Sequence, residues 1–274
     1  MSLTAATRAE TTKQFTTSLW WILAIVLLAY VGSTAAAVAF VFSAAATGSL
    51  PGNAPEIPGD GLPPVLYSTA TAVGYVFPLL IGTLMVTSEF RHKTLTSTFL
   101  ATPRRGRVLA AKLAVGVLLG ALFGVVGILA SVAPSAGFLA GYGLETGIGS
   151  GDTWAQFGRM LLAYVLWVLV GIGVGALVRN QVGAIVGVLV FTQFLEPIGR
   201  MAAGLVEGLA DVTRFLPGAA SDALVGASLY TTAMGGGAPA DTTLEWWAGG
   251  LVLLGYAVVL VLLGHLLSWR RDVS

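Results

Sequence analysis

Long, nearly uncharged apolar runs alternate along the chain with polar or Gly/Pro-rich stretches. A bilayer core takes about 20 mostly apolar residues as a helix, so each run predicts a membrane span. The runs cover residues 19–42, 66–87, 108–132, 160–178, 182–196 and 246–268, with Lys112 near the start of the third. The fifth is short for a crossing and is bracketed by Arg179 and Glu196. This pattern predicts an all-α polytopic membrane protein with a single transmembrane domain over residues 1–274. The first run is longer than the roughly 7–15 apolar residues of a secretory signal and follows an 18-residue polar lead. It reads as an uncleaved span.

Between the runs, residues 43–65 hold Pro51, Pro55, Pro58, Pro63 and Pro64 and predict an irregular loop. Residues 133–157 are Gly-rich, carry no basic residue and predict a second loop. Residues 197–245 are more structured. Ile198, Met201, Ala202, Leu205, Val206 and Leu209 recur at helical spacing opposite Arg200, Gly204, Glu207 and Asp211. That predicts an amphipathic helix lying on the membrane or re-entering it, broken at Leu216-Pro217-Gly218.

Composition agrees with a bilayer as solvent. Hydrophobic residues make up 56% of the chain and charged residues 10%, against about 25% charged in soluble proteins. Charge placement then orients the spans. With both termini inside, 11 of the 14 Lys and Arg residues fall on inner segments, and Arg159, Arg200 and Arg214 fall outside. The positive-inside rule therefore predicts N-in and C-in. Trp20, Trp21, Trp154, Trp246, Trp247 and Trp269 stand at run ends, where aromatic belts form, and only Trp167 is mid-run. The N-terminal segment predicts an interfacial helix with Arg8 and Lys13 at the headgroups.

Candidate chemistry is sparse. The chain has no cysteine, which removes thiolate catalysis and thiolate metal sites. No Gly-Lys dipeptide occurs, so no Walker A loop can form, and neither Gly-x-Ser-x-Gly nor His-Glu-x-x-His is present. His92 and His265 stand at run ends and predict solvated side chains rather than ligands. Gly149-Ser150-Gly151-Asp152 matches a Gly-x-Gly-Asp protease string but falls in a predicted loop without a partner Asp motif. The prediction is no enzyme, no cofactor and no metal in this chain, and no nucleic-acid partner. Small-x-x-x-small spacing recurs at Gly116, Gly120 and Gly124, at Gly171 and Gly175, and at Gly183 and Gly187. These glycines predict close helix packing, within the chain or against a second subunit. Ionisable residues are rare within the runs, which disfavours an ion-coupled secondary transporter. Glu196 is the exception, at a run end.

The inner stretch from Ser88 to Arg107 carries five of the basic residues. Leu95 and Phe99 share a face at helical spacing, Arg91, Lys93 and Thr94 begin the short helix, and Pro103 ends it. Such a helix can anchor to anionic lipid or dock in a groove of a soluble partner. Glu89, beside Arg91 and Lys93 and within reach of Arg104 or Arg105, predicts an ion pair that matters. Glu10→Ala is expected neither to uncouple nor to destabilise the protein.

The order Glu89, Arg91, Thr94-Leu95, Phe99-Leu100, Thr102-Pro103, Arg104-Arg105, Lys112 resembles the cytoplasmic stretch between the second and third spans of type-2 ATP-binding-cassette exporter permeases. The resemblance covers about 25 residues, and the six runs and the outer Leu216-Pro217-Gly218 region are similar in layout. It implies a partner-binding coupling helix made of Glu89, Arg91, Lys93, Thr94, Leu95, Phe99, Pro103, Arg104, Arg105 and Lys112. It further implies a separate nucleotide-binding subunit carrying ATP and Mg, and a second permease subunit, identical or related. The substrate path would run between paired bundles along the second and fifth spans, for a lipophilic or amphipathic cargo, in a bacterial plasma membrane. A non-transporting scaffold or assembly factor, and a secondary transporter, are the other classes this topology admits.

Overall fold

The computed structural model describes residues 2–50, 59, 61–94, 98, 104–178, 180–203, 208–229, 232 and 244–269. Every regular element among them is a helix. A short helix, α1 (Leu3–Thr16), precedes six helical segments long and apolar enough to cross a membrane. The first is α2 (Leu19–Ala46). The second, Leu62–Arg91, is assembled from α3 (Leu62–Tyr67), α4 (Thr69–Gly74) and α5 (Val76–Arg91). The third and fourth are α6 (Arg105–Gly141) and α7 (Gly151–Leu177). The fifth joins α8 (Gln181–Val190) to α9 (Glu196–Ala203) through a π-helical turn at Phe191–Leu195. After α10 (Leu209–Thr213) and α11 (Pro217–Val225) comes the sixth, α12 (Trp246–Gly264), which ends in a second π-helical turn at His265–Trp269. The arrangement is compatible with a multi-pass membrane protein.

Several boundaries differ from the sequence expectation. The third span was expected at 108–132, yet α6 runs 37 residues, straight through Pro134. At about 1.5 Å per residue that is about 55 Å, longer than a hydrocarbon core of about 30 Å. The fourth helix starts at Gly151 rather than Met160, so most of the expected loop at 133–157 is helical. Ser150 caps it, its Oγ accepting from the Thr153 N–H at 3.2 Å, with Asp152 in the first turn. The Gly-Ser-Gly-Asp string is a helix start. The second span begins at Leu62, with Pro63 in its first turn, where Pro costs no hydrogen bond. The fifth is not short. The π turn, in which the Glu196 N–H bonds Phe191 O, carries the helix past Pro197 into α9. The expected amphipathic helix therefore starts as a continuation of the fifth span rather than as a separate surface helix.

The second span is central. Its most apolar window is 89% buried and that of the fourth 67%, against 22%, 22% and 17% for the first, fifth and sixth. Small residues make this possible. A Cβ on Gly120 would lie 2.6 Å from Val165 Cα, and one on Gly175 2.6 Å from Thr83 O. Gly116 and Gly124 likewise meet Ile172 and Leu161, and Gly171 meets Leu79. These two stripes pack α6 on α7 and α7 on α5, within one chain. Gly187 meets nothing within 4 Å and Gly183 only its own N-cap Asn180, so the third stripe faces outward. Where hydrocarbon offers no hydrophobic drive between helices, close backbone approach supplies the packing. The outer faces of the first, fifth and sixth spans keep Ile25, Val182, Val186 and Leu251 exposed.

Candidate functional site

Two polar clusters stand out in this apolar molecule, one at each end of the bundle. The first lies where the basic Ser88–Arg107 stretch leaves and re-enters the helices. α5 ends at Arg91, and Lys93 (φ 55°) reverses the chain in the left-handed region. The Thr94 N–H then bonds Glu89 O at 3.1 Å, closing the helix end. Thr94 O accepts from both the Thr98 N–H (3.1 Å) and the Thr98 hydroxyl (3.0 Å). Arg91 therefore closes the second span and does not begin the short helix, as the sequence reading had it. Leu95, Phe99 and Pro103 lie outside the described residues. Arg104 precedes α6 and is exposed, and Arg105 begins it.

Helix α1 folds across this region. Ser2 caps it, its Oγ accepting from the Ala5 N–H at 3.2 Å. Its inward positions are Ala6, Glu10 and Gln14, a four-residue spacing that places all three on one face, packed against α6. Two of those three are polar, and the apolar contribution of α1 is Phe15, partly buried against the core and edge-on to Trp20 with ring centroids 5.2 Å apart. Charge supplies the rest. Lys112 Nζ, with no side-chain exposure, donates to Glu10 Oε2 at 2.8 Å and lies 3.0 Å from Glu89 Oε1. Lys13 Nζ donates to Glu10 Oε1 at 3.0 Å and also to Glu89 Oε1. The four side chains close a ring, Lys13–Glu10–Lys112–Glu89, that alternates in sign and sums to zero. Lys13 also reaches Thr98 Oγ1 at 3.3 Å, and Lys112 the Met85 carbonyl at 3.5 Å. Glu89 Oε2 has no hydrogen-bond partner among the described residues.

The ring is buried at three corners and open at one. Side-chain exposure is 0% for Lys112, 4% for Glu10 and 7% for Glu89, but 41% for Lys13. Burial pushes the Glu10 carboxyl up, but Lys112 and Lys13 outweigh it and hold the group below the usual carboxylate value. Burial pushes the Lys13 ammonium down, and its contacts with Glu89 and then Glu10 hold it above the usual lysine value. Each partner stabilises the charged form of the other.

Three of these side chains stand where the sequence pattern does not put them. Glu10 was expected to be without effect on coupling or stability and is instead buried between Lys112 and Lys13. Glu89 was expected to pair with Arg91, Lys93, Arg104 or Arg105 and instead pairs with Lys13 and Lys112. Lys112 was expected to open the third span and to belong to the partner-binding set, and its side chain is wholly enclosed. Near this site Arg91 Nη1 stands 3.5 Å from Gln181 Oε1, beside a shallow open hollow lined by Phe90, Asn180 and Val182.

At the opposite end, Glu196 is buried where the π turn gives way to α9, and its Oε1 accepts from the backbone N–H groups of Gly218 and Ala219 (3.2 Å for the second). Glu196 thus caps α11. Glycine at 218 leaves room for this contact, because a Cβ there would meet the Glu196 carboxylate and displace it. Arg200 pairs with Asp222, which also accepts from Ser228 Oγ at 2.7 Å. α11 is buried between the fourth and sixth spans, and Trp167 Nε1 donates to its Ser221 Oγ at 3.1 Å. This accounts for the one mid-run tryptophan: its polar atom has a buried partner. Tyr75 OH, at a break in the second span, donates to Thr192 O of the π turn at 2.9 Å.

Both clusters hold elements together. Among the described residues no three His, Cys, Asp or Glu side chains gather as a metal site would require. Neither the models of known protein families nor the curated proteins give a match to this chain.

Proposed function

We propose that this chain is the permease subunit of an ATP-binding-cassette exporter, docking a separate nucleotide-binding subunit through the Ser88–Arg107 stretch. The observation that carries the reading is the anchoring of that stretch. The helices flanking it are joined to each other at 3.0 Å through Glu89 and Lys112, and to α1 by buried ion pairs. A basic segment flanked by helix ends joined in this way can pass a push from a soluble partner into the bundle, where a loosely tethered lipid anchor could not. The ordered residues Glu89, Arg91, Thr94-Leu95, Thr102-Pro103, Arg104-Arg105 and Lys112 supply the resemblance that names the partner class.

ATP and Mg would sit on the partner. Closure of two such subunits would rock paired span bundles as rigid bodies. The central placement of the second span alters one expectation. Its most apolar window is 89% buried within this single chain, so the fifth span, with Val182, Val186 and Phe194 exposed, is the better candidate to face a second bundle. An apolar wall of this kind suits a lipophilic or amphipathic cargo. The test is co-purification of the chain with an ATP-binding subunit in mild detergent, followed by ATPase measurement in lipid. A stable complex with altered ATPase activity supports the reading. No complex, with ATPase activity indifferent to this chain, overturns it.

A further inference from the structure

Half of the charged ring comes from α1, a helix that spans nothing. Its sequence, Leu3–Thr16, has no apolar stripe, and its buried face is Ala6, Glu10 and Gln14. A polar helix of this length is marginal by itself in water. Phe15, at its C-terminal end, packs on the core, and the rest of its fixed position depends on what Glu10 and Lys13 grip. They grip the helices on both sides of the basic stretch: Glu10 holds Lys112 of α6, and Lys13 holds Glu89 of α5. Lys13 also reaches into the stretch itself, at Thr98. An ion cluster serving only to join the second and third spans would need Glu89 and Lys112 alone, which already touch.

We infer that α1 is a clasp that positions the Ser88–Arg107 stretch, with Glu10 and Lys13 as its positioning residues. The inference rests on the reading of that stretch as the docking element. It adds that the N-terminal helix, rather than the spans alone, sets how the stretch meets its partner. Because the ring is neutral, removing Glu10 and Lys13 together keeps the charge balanced and leaves the Lys112–Glu89 pair intact. Glu10→Gln with Lys13→Gln should thus free α1 without unfolding the bundle.

The native chain lacks cysteine, so spin labels can be placed at Thr12→Cys and His92→Cys, both exposed positions outside the ring. In reconstituted full-length protein the native ring should give one narrow label-to-label distance distribution. The double variant should give a broad one, with its thermal midpoint close to native. Partner-stimulated ATPase should fall at least tenfold in that variant, and Lys13→Arg should retain both the narrow distribution and the stimulation. If the double variant fails to accumulate, Lys13→Gln, at the half-exposed corner, is measured in its place and should broaden in the same way. A narrow distribution in the folded variant overturns the clasp, whatever the partner does. A broad distribution with native ATPase stimulation overturns the positioning role. If no ATP-binding subunit binds even the native chain while the distances behave as stated, the clasp stands and the exporter reading fails.

Discussion

Lys112 has its ammonium between two carboxylates and a backbone carbonyl, with no side-chain exposure. Replacing it leaves Glu10 and Glu89 facing only Lys13. An uncompensated buried charge costs about 3–5 kcal/mol. Lys112→Met is therefore expected to lower the thermal midpoint sharply in detergent, whereas Arg8→Gln, on the exposed face of α1, should shift stability by no more than about 0.5 kcal/mol. Lys13→Met should fall between the two, because its half-exposed ammonium is screened by water. Glu10 gives the pH dependence. Its folded pKa lies below the usual 4.5, so its contribution is present above that value and is lost as pH falls through the folded pKa. The difference in midpoint between native protein and Glu10→Gln should hold at neutral pH and shrink in acid below about 4.5. A difference that grows in acid would contradict the ring. Lys13 has the opposite sign: its folded pKa is raised, so its contribution holds below 10.5 and is lost above it.

Among elements, the packing of the second, third and fourth spans turns on glycine. Gly120→Ala would push a methyl against Val165 Cα, backbone that cannot give way, and should destabilise the α6–α7 contact. Gly187→Ala meets nothing within 4 Å and should be neutral or stabilising by up to about 1 kcal/mol from helix propensity. Thermal unfolding of the two variants side by side checks this. At the other end, Glu196→Ala leaves the Gly218 and Ala219 N–H groups without their acceptor, a loss of about 1–3 kcal/mol. How legible such features are in sequence depends on their range. The number of spans and the glycine stripes are written in local spacing and could be read there. Helix ends were misjudged at Pro134 and Gly151, because Gly, Ala and Ser look loop-like in water but continue helices when a long neighbour packs on them. The ring was illegible for a different reason. Glu10 and Lys112 are 102 residues apart, and each alone looks like an ordinary charge near a span end. Trp167, out of place in an aromatic belt, was the one local sign of a buried polar partner, and Ser221 was found only in the fold.

For the whole molecule, orientation is the first test. The 11-to-3 division of basic residues predicts that a cysteine placed within Pro51–Pro63 reacts with a membrane-impermeant reagent from outside, whereas Arg105→Cys does not. Labelling of Arg105→Cys in intact cells would reverse the assigned sides. The central claim, however, is that Ser88–Arg107 docks a soluble ATP-binding subunit rather than lipid. Apolar anchors and charged rims respond differently to truncation. Losing a buried anchor costs about 2 kcal/mol or more, at least a tenfold loss of affinity. Exposed charges mainly steer the encounter and are screened by salt. The deciding measurement is one pull-down of the ATP-binding subunit at low and high salt, comparing Leu95→Ala/Phe99→Ala with Arg104→Gln/Arg105→Gln. Docking predicts that the apolar variant releases the partner at both salts while its membrane insertion is intact, and that the arginine variant shows a smaller, salt-sensitive defect. Retention of the partner by the apolar variant, with the arginine changes mattering at least as much, would contradict the account.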